Sequence, residues 1–121
     1  MNHREDRLQI AVAKYLDALN IVWCHVANER KTSVMAGKRL KQKGVKSGVP
    51  DVLIFEPNKG YNGLAIELKA EVTSNDGKKT RRPKPTNNQL LWLNILSKKG
   101  WKTEICYNFD EVLFVVNAYF K

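Results

Sequence analysis

Residues 48–69 read GVPDVLIFEPNKGYNGLAIELK, and this stretch decides the fold. Asp51 to Phe55 (DVLIF), entered through Pro50, is a β-branched and aromatic run that predicts a short strand. Gly63 to Lys69 (GLAIELK) predicts another, and EPNKGYN between them is rich in turn residues. If the two runs form one hairpin, the midpoint between positions 51 and 67 falls at position 59, in Asn58-Lys59-Gly60. A symmetric antiparallel hairpin then sets Asp51 opposite Glu67. Directly opposed residues share a face with Cβ atoms about 4.5–5.5 Å apart, and alternation puts Lys69 on the face of Glu67. A bulge would break this register. Without one, two carboxylates and an ammonium meet on one patch.

Two close carboxylates repel unless a cation sits between them. A hard divalent ion such as Mg²⁺ takes carboxylates, waters and substrate phosphate as ligands. It polarises a phosphoryl oxygen and lowers the pKa of bound water. A nearby lysine can orient that water and offset phosphate charge, which is the chemistry of phosphodiester hydrolysis. The plainer alternative is a Pro-Asp turn and a surface E-x-K ion pair worth little. The surroundings weigh against it. Leu64, Ile66 and Leu68 make the opposite face apolar, and Leu53, Phe55 and Ala65 make the carboxylate face partly apolar. A sheet covered on both sides does not place Glu and Lys in mid-strand without a chemical reason.

Working outward, residues 4–19 read as a helix, with Leu8, Val12, Tyr15, Leu16 and Leu19 at helical spacing and Asn20 as its stop. Ile21 to Val26 (IVWCHV) predicts a strand. Residues 27–50 form a long polar, basic loop with a short helix around Val34 to Lys43, and a loop of that length in a small domain is usually functional. A second basic loop covers 71–85, with Gly77, Pro83 and Pro85. Thr86 to Lys99 predicts a helix with Gly100 as its C-cap, Trp101 to Tyr107 a strand, and Asp110 to Phe120 a final helix carrying Val112, Leu113, Val116, Ala118 and Tyr119. The order α-β-β-β-α-β-α predicts an α/β fold, a mixed central β-sheet flanked by helices on both faces, in one domain over residues 1–121.

The 121 residues carry 21 Lys and Arg against 12 Asp and Glu, a net charge of +9. The excess is clustered: Arg30, Lys31, Lys38, Arg39, Lys41, Lys43 and Lys46 form one segment, and Lys78, Lys79, Arg81, Arg82 and Lys84 another, neither containing an acid. A large polyanion is the natural partner. No apolar run approaches a membrane span, and the start MNHREDRLQ lacks an apolar signal region, so the expected setting is cytoplasmic, with no membrane partner. Cys24 and Cys106, both in apolar strand-like stretches, are expected to be small buried hydrophobes. With His3 and His25 the only histidines and no CxxC spacing, structural zinc is excluded. Catalysis must come from carboxylates, lysines and amides, with no organic cofactor.

GVKSGVPDVLIF, then GLAIELKA, then PTNNQLLWLNIL followed by Gly100, resembles the VRR-NUC family, placed in the PD-(D/E)xK nuclease superfamily. The resemblance spans nearly the whole chain. Gly48-Val49-Pro50-Asp51 matches the family's G-V-P-D, Glu67-Leu68-Lys69 its E-x-K, and Gln89 its helix glutamine. Glu5 and Gln9 resemble its opening E-x-x-x-Q, and Asn28 its loop asparagine. The resemblance implies a restriction-endonuclease-like core and a Mg²⁺- or Mn²⁺-dependent endonuclease. Asp51, Glu67 and the Leu68 carbonyl would hold the metal, Lys69 would be the catalytic lysine, Gln89 would position water or phosphate, and Glu5 would complete the shell or orient the lysine. Compact stand-alone relatives are phage-type homodimers acting on branched DNA, including four-way junctions.

Some of these residues have plainer roles too. Thr86-Asn87-Asn88-Gln89 is a capping box, Glu5 suits a helix N-terminus, and Gln9 competes with it one turn on. His25 reads as a strand residue, and Trp92 and Trp101 as core or interface anchors. The expectation is a homodimeric, structure-selective DNA endonuclease. Its two basic segments, from Arg30 to Lys46 and from Lys78 to Lys84, would bind backbone phosphates. The alternatives are a basic DNA-binding module without catalysis, or a nuclease of the same fold acting on flaps or plain duplex.

Overall fold

The computed structural model describes residues 3–27 and 33–121. The elements run α1 (His3–Ala18), β1 (Trp23–His25), α2 (Val34–Gln42), β2 (Val52–Ile54), β3 (Leu64–Leu68), β4 (Val72–Thr73), β5 (Thr80–Arg81), α3 (Asn87–Lys98), β6 (Lys102–Cys106) and α4 (Phe109–Phe120). The main sheet has the order β1-β2-β3-β6. Its first two pairings are antiparallel and its last is parallel. The fold is therefore α/β with a mixed sheet, as expected. One expectation is corrected: 71–85 is not a plain loop, because β4 and β5 pair there as a separate two-stranded ribbon.

Alternation along β2 and β3 sorts the sheet into two faces. Val52, Ile54, Leu64, Ile66 and Leu68 join Leu8, Val12 and Leu16 of α1 and Val112, Val116 and Tyr119 of α4 in one core. Helix α3 contacts β3 and β6, and its buried Leu93 stands outside that cluster, so it covers the other face. Helices α2 and α3 both end in Schellman geometry. Gly44 and Gly100 have φ of 100° and 89°, and the next residues, Val45 and Trp101, donate back to Leu40 and Leu96 at 2.9 and 3.0 Å. That is the left-handed stop glycine permits.

The central hairpin has the expected register by a route slightly different from the symmetric one. Val52 faces Ile66, Leu53 faces Ala65 and Ile54 faces Leu64. The tip, however, pairs Asn58 with Tyr61, around Lys59 and Gly60 at φ 54° and 85°, the mirror-image turn that suits hairpin twist. The tip is thus half a residue late, and one extra residue between Ile54 and Asn58 compensates. It is also clamped to the end of α4. Asn58 Nδ2 donates to the Tyr119 carbonyl and Lys59 Nζ to that of Ala118, both at 2.6 Å, a cation at a helix C-terminus.

One further expectation changes. Cys106 is buried, but Cys24 is exposed, because β1 is a three-residue edge strand and an apolar run there does not ensure burial. None of the three tryptophans is exposed. Trp101 packs edge-on against Phe55 at 5.6 Å, and Trp23 Nε1 donates to Asp17 at 2.8 Å. The most exposed aromatic among the described residues is Phe114, 74% accessible on α4. Among the described residues, no helix is long and apolar enough to cross a membrane.

The cysteines give a direct check on β6. Burial, then the charges of Glu111 and Glu104, push the Cys106 thiol up to about 12, whereas thiolate is the reactive form. At pH 8 an aromatic disulfide reagent is expected to titrate one thiol per native chain, Cys24, and two in denaturant. Two in the native protein would mean that β6 opens.

Candidate active site

Hydrogen-bond parity in the sheet decides how close the two carboxylates come. Val26 N donates to the Asp51 carbonyl and Phe55 N to the Val22 carbonyl. The odd-numbered residues of this stretch therefore spend their backbone groups on β1, and Val52 and Ile54 bond to β3. Extending the register of β2 and β3 by one residue sets Asp51 opposite Glu67. By that parity the pair is the non-hydrogen-bonded kind, where side chains stand closest. Glu67 is 2% exposed, the one buried charged residue among the described residues.

The next position shows why Leu68 belongs to the site. The same register sets Leu68 opposite Pro50. Proline has no N–H, so no ladder donor reaches the Leu68 carbonyl from that side. The Leu68 N–H is taken instead by Asp51 Oδ2 at 2.8 Å, which fixes the Asp51 carboxylate beside the strand end. Lys69 N donates to the Cys106 carbonyl at 2.9 Å. The ladder to β6 thus continues past Leu68, which keeps Lys69 on the face of Glu67.

His25 carries a role that sequence reasoning missed. Its Nδ1 lies 2.9 Å from the Asp51 carbonyl, which also accepts from Val26 N at 2.9 Å. His25 thus helps pin the backbone of the first acid from the edge strand. The signal was present in its opposition to Val52, but a strand pairing across a 26-residue gap is not readable from spacing.

Gly48 positions the loop that delivers Asp51. Its φ is 88°, and a Cβ there would sit 2.7 Å from the Asn88 carbonyl carbon. The loop therefore lies flush on the first turn of α3, and Asn88 Nδ2 ties it down through Ser47 Oγ at 2.9 Å. In that turn the capping box is formed. Thr86 Oγ1 accepts from Gln89 N at 3.2 Å, and Thr86 N donates to Gln89 Oε1 at 2.8 Å. Capping accounts for Oε1 and leaves the Nε2 end as the part of Gln89 that could meet a phosphate.

On α1, Glu5 and Gln9 are half-buried on the same face, one turn apart. Among the described residues no group of three His, Cys, Asp or Glu side chains converges, so Glu5 does not join Asp51 and Glu67 in such a cluster. Gln9 Oε1 is a buried acceptor with no hydrogen-bond partner among the described residues.

The basic residues separate into two kinds. Lys38, Arg39, Lys41, Lys43 and Lys46, on α2 and just after it, are all exposed, and α2 buries no residue. Lys79, Arg81 and Lys84 are exposed as well. Arg82 differs: it is bound to Glu71 at 3.3 Å and Glu111 at 2.5 Å, with its guanidinium 4.7 Å from the Tyr107 ring centre. Glu71 first, then Glu111, raise its pKa above the usual arginine value. Asn28, Arg30 and Lys31 lie outside the described residues.

The donor set suits a hard divalent cation: two facing carboxylates and one backbone carbonyl with no ladder donor, all oxygen. The arrangement can bring a phosphate, a cation and an ammonium together at the end of the sheet.

The VRR-NUC domain family model matches residues 3–110. A solved structure described as a VRR_NUC domain protein is 26% identical at a TM-score of 0.69, with 98% of this chain and 89% of that chain covered. Another, described as a VRR_NUC domain, is 23% identical at 0.58, covers 96% and 97%, and speaks for the fold alone. Among curated proteins none matches the chain.

Proposed function

The chain belongs to the VRR-NUC domain family, and from that premise we propose that it is a metal-dependent DNA endonuclease of PD-(D/E)xK type that cuts branched substrates, four-way junctions foremost. The observation that carries the reading is the Asp51–Glu67 pair, closest-facing on adjacent strands, with Lys69 one alternation further along the same face. Asp51, Glu67 and the Leu68 carbonyl would hold Mg²⁺ or Mn²⁺. When bound, such an ion polarises a phosphoryl oxygen and acidifies water.

The chain's own residues do the rest. Lys69 carries a positive charge to the non-bridging phosphate oxygens and orients the attacking water. Gln89, held by its capping box, offers an amide donor to the same phosphate. Glu5 would orient Lys69, the role for which Gln9 competes one turn on. Asp51 is kept in place by the Leu68 N–H on its side chain and by Val26 and His25 on its carbonyl. Lys38, Arg39, Lys41, Lys43, Lys46, Lys79, Arg81 and Lys84, with Arg30 and Lys31, supply phosphate affinity without reading sequence. Paired cuts in a junction call for two sites related by a twofold axis, hence a homodimer. A cytoplasmic, phage-type setting fits such a substrate.

The test is cleavage of a labelled four-way junction beside matching duplex, flap and single strand, in Mg²⁺, Mn²⁺ and EDTA. Metal-dependent cutting of the junction in preference to the rest is expected. Equal cutting of flap or duplex would move the substrate. Junction binding without any cutting, in either metal, would leave a basic DNA-binding module in place of a nuclease.

A further inference from the structure

The ribbon of β4 and β5 stands apart from the main sheet, yet it is built to hold its shape. Val72 pairs with Arg81 and Thr73 with Thr80. Its tip is closed by a local network. Ser74 N donates to the Lys79 carbonyl at 2.8 Å, and Gly77 N to the Ser74 carbonyl at 2.9 Å. Asp76 Oδ1 accepts from Ser74 Oγ and Lys78 N at 2.5 and 3.0 Å. All residues from Thr73 to Arg82 are exposed. A preformed element of this kind loses little entropy on binding.

Alternation assigns its faces. Thr80 and Arg82 share one, and Lys79 and Arg81 share the other. Arg82 reaches Glu111 on α4 and Glu71 at the ribbon root, so its side chain is drawn back to the body. Glu71 also accepts from Asn108 Nδ2 at 3.1 Å, and Glu111 from Tyr107 N at 2.9 Å. The guanidinium thus joins the ribbon root to the start of α4 through two carboxylates and an aromatic ring.

We propose that the β4–β5 ribbon is a rigid arm that grips the phosphate backbone of a DNA duplex with Lys79 and Arg81, and that Arg82 is the strut setting its angle, not a phosphate ligand. The inference rests on the nucleic-acid part of the reading above and not on catalysis. It reverses the expectation that Arg82 belongs with the phosphate-binding residues.

The experiment measures affinity for a labelled duplex and junction in EDTA across a salt series. Lys79→Gln and Arg81→Gln are each expected to flatten the slope of log affinity against log salt by about 0.9, the value of one phosphate contact. Glu71→Gln with Glu111→Gln separates the strut from plain electrostatics. The pair removes two negative charges, so charge alone predicts tighter binding. The strut predicts several-fold weaker binding and a slope flatter by about two, as both arm contacts are lost. Glutamine keeps acceptors for Tyr107 N and Asn108 Nδ2, and the single Glu71→Gln variant, which retains the Glu111 bridge, is expected to show a smaller loss. Arg82→Lys, which cannot bridge both carboxylates, is expected to behave like Arg82→Gln. Binding as tight as wild type or tighter in the double variant would overturn the proposal. So would an Arg82→Gln loss of about one slope unit that Arg82→Lys restores. Wild type that fails to bind either DNA would overturn this inference and the nucleic-acid reading together.

Discussion

Glu67→Gln is expected to lower metal-dependent cleavage by ~10³-fold or more while junction binding in EDTA stays within about twofold of wild type. A metal at a phosphoryl centre supplies several kcal/mol of transition-state stabilisation, and each tenfold in rate is about 1.4 kcal/mol. Glutamine keeps the shape of the side chain but removes the charge that a divalent ion needs. The same variant separates function from architecture. Glu67 is 2% exposed and faces Asp51, so in metal-free protein the substitution relieves repulsion between two carboxylates. Its melting temperature is expected to hold or rise, as it does when a site strained for function is neutralised. A marked drop would mean that the buried carboxylate is there for the fold.

Gly48→Ala is expected to destabilise the protein strongly through a single added methyl. At φ 88° a Cβ is strained by about 1–2 kcal/mol. It would also meet the Asn88 backbone at 2.7–2.8 Å, where nothing flexible can yield, and overpacking of that kind costs about 1–3 kcal/mol. Together the loss is about 2–5 kcal/mol, on the order of 10 °C or more in melting temperature for a domain of this size. Because Gly48 lies three residues before Asp51, the loop that yields would carry the first acid with it. Activity measured well below the melting temperature is expected to fall as well. A variant that melts like wild type would show that the loop does not rest on α3.

The hairpin was legible because local signals agree: β-branched runs, a turn-rich connector between them, and a midpoint that falls in the turn. The symmetric construction placed Asp51 opposite Glu67 even though the turn is shifted, since an extra residue before Asn58 absorbs the shift. Helix α2 was expected too, as a short helix around Val34 to Lys43, and it forms over Val34–Gln42. The β4–β5 ribbon was not. Its strands are two residues long and Val72 is their one apolar residue, and the ribbon is held by Ser74, Asp76 and an arginine whose partners lie 11 and 29 residues away. From sequence, Arg82 is one more member of a basic run. Its separation from Lys79 and Arg81 appears only when Glu71 and Glu111 are brought beside it. Cys24 failed for a related reason: burial on an edge strand depends on what covers the sheet, which a run such as IVWCHV does not encode. For Gln89 both readings were visible, and the capping hydrogen bonds are formed.

The most direct test of the proposed metal site is anomalous scattering from crystals grown with Mn²⁺ and no DNA. The account predicts a peak about 2 Å from oxygens of Asp51 and Glu67 and from the Leu68 carbonyl, lost in Glu67→Gln crystals. Saturating Mn²⁺ that leaves this position empty, or binds elsewhere and persists in the variant, would contradict it.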